Sequence, residues 1–203
     1  MKMDSVRTNR TRRQRGYTFE YELVKRMNSC SGWRAIRLGS PSVALPDVVA
    51  VNNSKGIMLA IEAKSTSTDT IKVPMEQVAR CINWLDLFSR YRRRYTILAL
   101  KFMSKRWRKA YTYEHRALQE YYWLWDDGRV GAGIQAHVKS RGSSRAYIAC
   151  RYDGSLYIHL DGDGANTCAG DSSMDDRRMM LTLDRFTMPW QEGVKGHPSE
   201  PSE

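Results

Sequence analysis

The sequence predicts an α/β fold, and three observations carry that expectation. Two apolar, partly β-branched runs, Leu45–Val51 and Ile57–Lys64, flank the short polar loop Asn52–Gly56 and read as a β-hairpin. Stretches with helical spacing stand on either side of it, at 16–28 and from Pro74 onward. A further buried-looking strand, Tyr95–Leu100, follows the second of them, and β-type patterns continue beyond it.

At 203 residues, 41% hydrophobic and 27% charged, the chain is expected to hold one well-cored domain with additions. No apolar run is long enough for a transmembrane helix, and no secretory h-region opens the chain, so a cytoplasmic, nucleoid-associated protein with no membrane partner is expected. Cys30, Cys81, Cys150 and Cys168 lack CxxC spacing, which argues against a zinc site or a disulfide framework. The charge is uneven. Residues 1–152 hold 29 of the 33 basic residues and 12 of the 22 acidic ones, whereas 153–203 hold 4 and 10. A basic body with an acidic tail points to a polyanion partner, nucleic acid above all.

Residues 1–15 carry Lys2, Arg7, Arg10, Arg12, Arg13 and Arg15 against Asp4, a flexible basic arm suited to phosphates. In the helix that follows, Phe19, Leu23, Val24 and Met27 share one face. Glu20 falls on that same apolar side, whereas Glu22 falls on the other, with Lys25 and Arg26. An inward glutamate needs a partner, and a metal site below the helix would provide one. Trp33–Leu38 alternates as a strand, and Gly39-Ser40-Pro41-Ser42 forms a loop into the hairpin. Arg37 and the serines stand just upstream of Asp47, where phosphate contacts are useful. Past Lys64 comes a polar loop, then Pro74 at the first turn of a helix with Val78, Cys81, Ile82, Leu85 and Phe88 on its apolar face. Ala110–Tyr113 reads as another strand. Tyr121–Trp125 and the pair Ala146–Tyr152 and Ser155–Leu160, turning at Asp153-Gly154, read as further β-structure in a small appended subdomain. The aromatic run Tyr121–Trp125 fits a core stripe better than a base-stacking surface. From Asp161 the composition suggests a mostly disordered acidic tail, in which Met179–Trp190 is a short apolar patch suited to a partner such as a sliding clamp.

Three charges interrupt the apolar hairpin. Glu62 and Lys64 are two apart and share a strand face, and Asp47 opens the partner strand, where a short hairpin can set it beside Glu62. Two carboxylates and a lysine on a buried sheet need a compensating partner, and a divalent cation with a preference for hard oxygen ligands supplies one.

The order Pro46-Asp47, then Glu62-Ala63-Lys64, resembles the PD-(D/E)xK nucleases. The wider set is Gly16 and Glu20 on a helix, Arg37 with Gly39-Ser40, Glu76-Gln77, Leu100-Lys101-Phe102 and Trp107-Arg108. Together with the hairpin it resembles the archaeal Holliday junction resolvases, over roughly Arg15 to Tyr113. That resemblance implies a restriction-endonuclease-like fold, with a central mixed sheet flanked by helices on both sides and a small β-rich C-terminal addition. The expected organisation is a basic arm 1–15, a nuclease domain 16–115, a β-rich extension 116–160 and an acidic tail 161–203. The resemblance implies a catalytic set of Glu20, Asp47, Glu62 and Lys64, with a loop serine, Ser40 or else Ser42. Glu20, Asp47 and Glu62 are the implied ligands of Mg²⁺, or Mn²⁺ in its place. Contacts to DNA are expected from Arg12, Arg13, Arg15, Arg37, Ser42, Gln77, Arg92, Arg93, Lys105, Arg106 and Arg108. The implied protein is a homodimeric, Mg²⁺-dependent endonuclease that nicks four-way junctions in pairs during DNA recombination and repair. The alternatives are a nuclease of this fold acting on flaps, linear duplex or foreign DNA, and a non-catalytic DNA-binding module.

Overall fold

In a computed structural model, residues 17–38, 45–107, 112–126, 146–159 and 178–192 are described. Helix α1 spans 17–28. Strands β1 (Arg34–Arg37), β2 (Val48–Asn52), β3 (Ile57–Thr66) and β4 (Thr70–Pro74) lead to helix α2 (Met75–Asp86). Strands β5 (Arg93–Phe102), β6 (Lys105–Trp107), β7 (Tyr113–His115) and β8 (Gln119–Trp125) follow. The chain continues through β9 (Tyr147–Arg151), β10 (Leu156–His159), β11 (Arg178–Leu181), β12 (Asp184–Arg185) and the single turn α3 (Pro189–Glu192).

The central sheet has the order β1-β2-β3-β5-β8-β12. It is mixed: β3 and β5 run parallel, and the other neighbours are antiparallel. The parallel pair requires a crossover, which β4 and α2 provide. Alternation along β3 divides the core. Leu59, Ile61 and Ala63 pack with Phe19, Leu23 and Met27 of α1 on one face. Met58 and Ala60 pack with Cys81 and Leu85 of α2 on the other. The expected α/β architecture, a mixed sheet with helices on both sides, is the one observed. No helix among the described residues is long and apolar enough to cross a membrane.

The C-terminal half departs from the expected appended subdomain. Strand β8 is an inner strand of the central sheet, paired along its length with β5. Strands β9 and β10 form their predicted hairpin, but β9 pairs with β4, so a second sheet of order β11-β10-β9-β4 grows from the crossover itself. Its inner side chains, including Ile71, Val73, Ile148 and Ile158, share one core with Leu98, Leu100, Phe102 and Trp123. A boundary at 115/116 therefore separates nothing. Period-2 patterning announces a strand but not its partner. The aromatic run of β8 is core, as its composition suggested.

The acidic tail is not uniformly structureless either. Residues 178–192 supply β11, β12 and α3, and Leu181, Leu183 and Met188 are buried. Trp190 packs edge-on against Tyr122, with ring centroids 5.7 Å apart. Part of the apolar patch Met179–Trp190 therefore packs within the fold, while Met179 and Met180 stay exposed. Residues 1–16, 160–177 and 193–203 lie outside the described residues.

Candidate active site

The site grows from the β2–β3 register. Val48 pairs with Ile61, which sets Asp47 across from Glu62. Asp47 Oδ2 accepts a hydrogen bond from the Ala63 amide at 2.9 Å, fixing the carboxylate at the mouth of the hairpin. Glu62 and Lys64 share the α2-facing side of β3 by alternation. The Lys64 ammonium donates to Glu62 Oε1 and stands 3.7 Å from Asp47 Oδ2.

Glu62 is completely buried. Its second oxygen, Oε2, accepts a 2.7 Å bond from Arg80 Nη2 on α2. Burial pushes the Glu62 carboxyl above its ordinary range, and repulsion from Asp47 adds to this, while Lys64 and Arg80 oppose it. Burial alone would lower the Lys64 ammonium, but attraction to Glu62 and Asp47 outweighs it and holds the group charged to higher pH.

Helix α1 brings Glu20 from the other side of the sheet. Glu20 is buried, as its place on the apolar face required, and Arg37 of β1 is its immediate partner. Burial raises the Glu20 carboxyl, the Arg37 hydrogen bond opposes this, and Asp47 and Lys64 act on it across the site. Arg37 also lies against two exposed rings of α1, 4.2 Å from the Tyr17 centroid and 5.4 Å from that of Tyr21.

The structure thus gathers Glu20, Asp47, Glu62, Lys64 and Arg37. Gln77 stands one helical turn before Arg80 on α2, and its Oε1 is buried without a hydrogen-bond partner. Lys105 and Arg106 lie on β6, just past the end of β5 that pairs with Thr66, hence at the site's end of the sheet. Arg106 is engaged by Asp69. Arg92 and Arg93 are not brought in. Arg93 pairs with Ile57 at the far end of the parallel ladder, on the order of 20 Å from Lys64 at about 3.3 Å per residue. Arg12, Arg13, Arg15, Ser40, Ser42 and Arg108 lie outside the described residues.

Two groups of residues escaped the sequence reading. Arg80 precedes Cys81 on α2 but lies off the buried stripe of Met75, Val78, Cys81 and Leu85, and the signal was an uncompensated Glu62 in need of a second cation. Glu22 reaches Lys101 of β5 rather than Lys25, and Lys101 also lies 3.3 Å from Glu120 of β8. Arg26 and Tyr122 both donate to Glu120, at 2.6 and 2.7 Å. This half-buried network binds α1 to the sheet and so sets where Glu20 stands.

Asp47 and Glu62 fit a hard divalent cation. Both are oxygen donors, and one or two carboxylates with substrate oxygens are the usual set for Mg²⁺. Among the described residues no three His, Cys, Asp or Glu side chains stand together as a metal site. Glu20 is hydrogen-bonded by Arg37 and feels the charges of Asp47 and Lys64.

The chain is similar to proteins of known family. The family model described as archaeal Holliday junction resolvase (hjc) matches residues 11–122. A crossover junction endodeoxyribonuclease of Sulfolobus islandicus rod-shaped virus 1 is 31% identical over 80 residues, which cover 38% of this chain. That stretch spans 64% of the curated relative's length. Among solved structures, Archaeoglobus fulgidus Hjc, a Holliday junction resolvase from an archaeal hyperthermophile, is 28% identical, with a TM-score of 0.35. The match covers 45% of this chain and 71% of the other.

Proposed function

This chain belongs to the archaeal Holliday junction resolvase family, and from that premise we propose that it is a Mg²⁺-dependent endonuclease that resolves four-way DNA junctions by paired nicks. The observation that carries the reading is the mouth of the β2–β3 hairpin, where Asp47, Glu62 and Lys64 meet while Glu20 approaches from α1. Such a cluster is costly to keep buried and suits phosphodiester hydrolysis by water.

Asp47 and Glu62 would hold the cation, and Mn²⁺ suits the same oxygens. When bound, it supplies Lewis-acid stabilisation of charge at the scissile phosphate and activates water. Lys64 keeps its proton and offers a positive charge where negative charge develops. Arg80 keeps Glu62 oriented by holding Oε2, so that Oε1 faces Lys64 at the mouth of the hairpin. Arg37 orients Glu20 and is placed to meet a backbone phosphate.

A junction has approximate two-fold symmetry, so a C₂ homodimer with two such sites matches it and accounts for paired cuts. Contacts to phosphate from a basic surface follow shape more than sequence, which favours the junction over linear duplex. A role in DNA recombination and repair follows from that substrate. Incubation with labelled junction, flap and linear duplex in parallel, with and without Mg²⁺, tests the proposal. Mg²⁺-dependent paired nicks in the junction are expected. Equal cutting of linear duplex would transfer the assignment to a general nuclease of the same fold.

A further inference from the structure

The outward face of the second sheet is built differently from its apolar inner face. On β4, β9 and β10 the inner positions carry Ile71, Val73, Ile148, Cys150, Leu156 and Ile158. The alternate positions include two cations and three rings, and none of them is acidic. Lys72 of β4 lies 4.4 Å from the Tyr147 centroid on β9. Tyr147 stacks on His159 of β10 at 4.5 Å, with the ring planes 12° apart. Arg151 of β9 lies 5.1 Å from the Tyr157 centroid on β10. Register explains how the cations can lie down on the rings. Ala149 stands directly between Lys72 and Tyr157, and its methyl group leaves them room. Asp153, in the turn between β9 and β10, accepts hydrogen bonds from Ser155 at 2.6 and 2.9 Å within its own hairpin.

We propose that this face is a second DNA surface, which holds single-stranded DNA apart from the catalytic hairpin. Phosphates would meet Lys72 and Arg151, and unpaired bases would stack on Tyr157, Tyr147 and His159. The rings are half-buried and the cations beside them exposed. Rings interleaved with cations on a sheet face are the composition that sequence-tolerant single-strand binding uses, since every base has a π-face. Duplex DNA hides its bases and needs only the cations. The proposal does not rest on the nuclease reading, because binding here involves none of the hairpin carboxylates.

The test uses the full chain in EDTA, so that cleavage plays no part. Anisotropy of a fluorescent oligothymidylate of about a dozen nucleotides gives affinity, and an iodouracil-substituted oligothymidylate gives the contact by photocrosslinking. Crosslinks are expected at Tyr157 or Tyr147. Tyr157→Ala should bind the oligonucleotide roughly tenfold more weakly, and Arg151→Gln should lower the salt slope by about one. Crosslinks confined to the N-terminal arm or the hairpin would overturn the proposal. So would unchanged affinity in a Tyr157→Ala protein whose melting temperature has fallen, because the rings would then serve the fold alone. Preferential binding of oligouridylate would overturn the assignment to DNA. If Tyr157→Ala does not fold, the crosslink map of the unsubstituted chain decides by itself.

Discussion

Arg80 on α2 donates to Glu62 on β3 across 2.7 Å, in a place where Glu62 is wholly withdrawn from solvent. One buried carboxylate therefore carries two cations, Lys64 on one oxygen and Arg80 on the other. The two are not equivalent. Lys64 shares itself with Asp47 and faces the mouth of the hairpin, whereas Arg80 approaches from the helix and fixes the carboxylate's orientation.

Substitution of Arg80 should accordingly disturb the proposed Mg²⁺ dependence. Arg80→Leu is expected to raise the Mg²⁺ concentration needed for half-maximal cleavage by about 10–100-fold, the usual effect of removing a partner behind a metal ligand. Arg80→Lys should recover only part of this, because a point charge cannot replace a planar fork. Calorimetric titration with Mg²⁺ in the absence of DNA provides the second readout. Unchanged Mg²⁺ dependence in Arg80→Leu would remove Arg80 from the site.

The network behind α1 gives a pH-dependent prediction. Burial alone would raise the Glu120 carboxyl, but hydrogen bonds from Arg26 and Tyr122 outweigh it and hold the group below its ordinary value of 4.5. A depressed acid contributes stability above its unfolded pKa and loses it as pH falls through the folded one. Glu120→Gln should therefore cost about 2 kcal/mol near pH 7, and the difference from the parent should shrink below about pH 4. Denaturant unfolding at several pH values measures it. A constant difference would mean that shape, not charge, holds the helix.

The C-terminal segment should be indispensable to the fold. Met188 is fully buried, so Met188→Ala is expected to cost about 2–5 kcal/mol, a fall in melting temperature on the order of 10 °C. Met180, which is 74% exposed, should tolerate alanine within about 0.5 kcal/mol. A chain ending at residue 177 that melts like the full protein would contradict this packing.

What could be read in the sequence followed from local pattern. The hairpin around Gly56 declared itself because alternation, a turn and three misplaced charges coincided within twenty or so residues. Glu20 declared itself because helical spacing put a charge on an apolar face. What could not be read depended on distant pairing. Strand β8 carries the same alternation whether it lies in the central sheet or outside it, and only its pairing with β5 decides. Strand β12 is two residues long and has no period at all. Its place beside β8 comes from tertiary packing of Leu183 and Met188, in a stretch whose surroundings are acidic and glycine-rich. Arg80 was hidden for the opposite reason. Charged residues on an amphipathic helix ordinarily face water, and only the position of α2 over Glu62 makes this one different.

Separation of binding from chemistry at Asp47 tests the central claim most directly. Affinity for the junction should come from lysine and arginine contacts to phosphate, while cleavage should require the carboxylate that the Ala63 amide holds in place. The measurement is junction affinity and single-turnover cleavage for Asp47→Asn beside the parent chain, in the same Mg²⁺ buffer. The predicted result is affinity within about twofold of the parent, since no phosphate contact is lost, with cleavage abolished. Cleavage by Asp47→Asn at the parental rate would contradict the assignment of the hairpin as the active site.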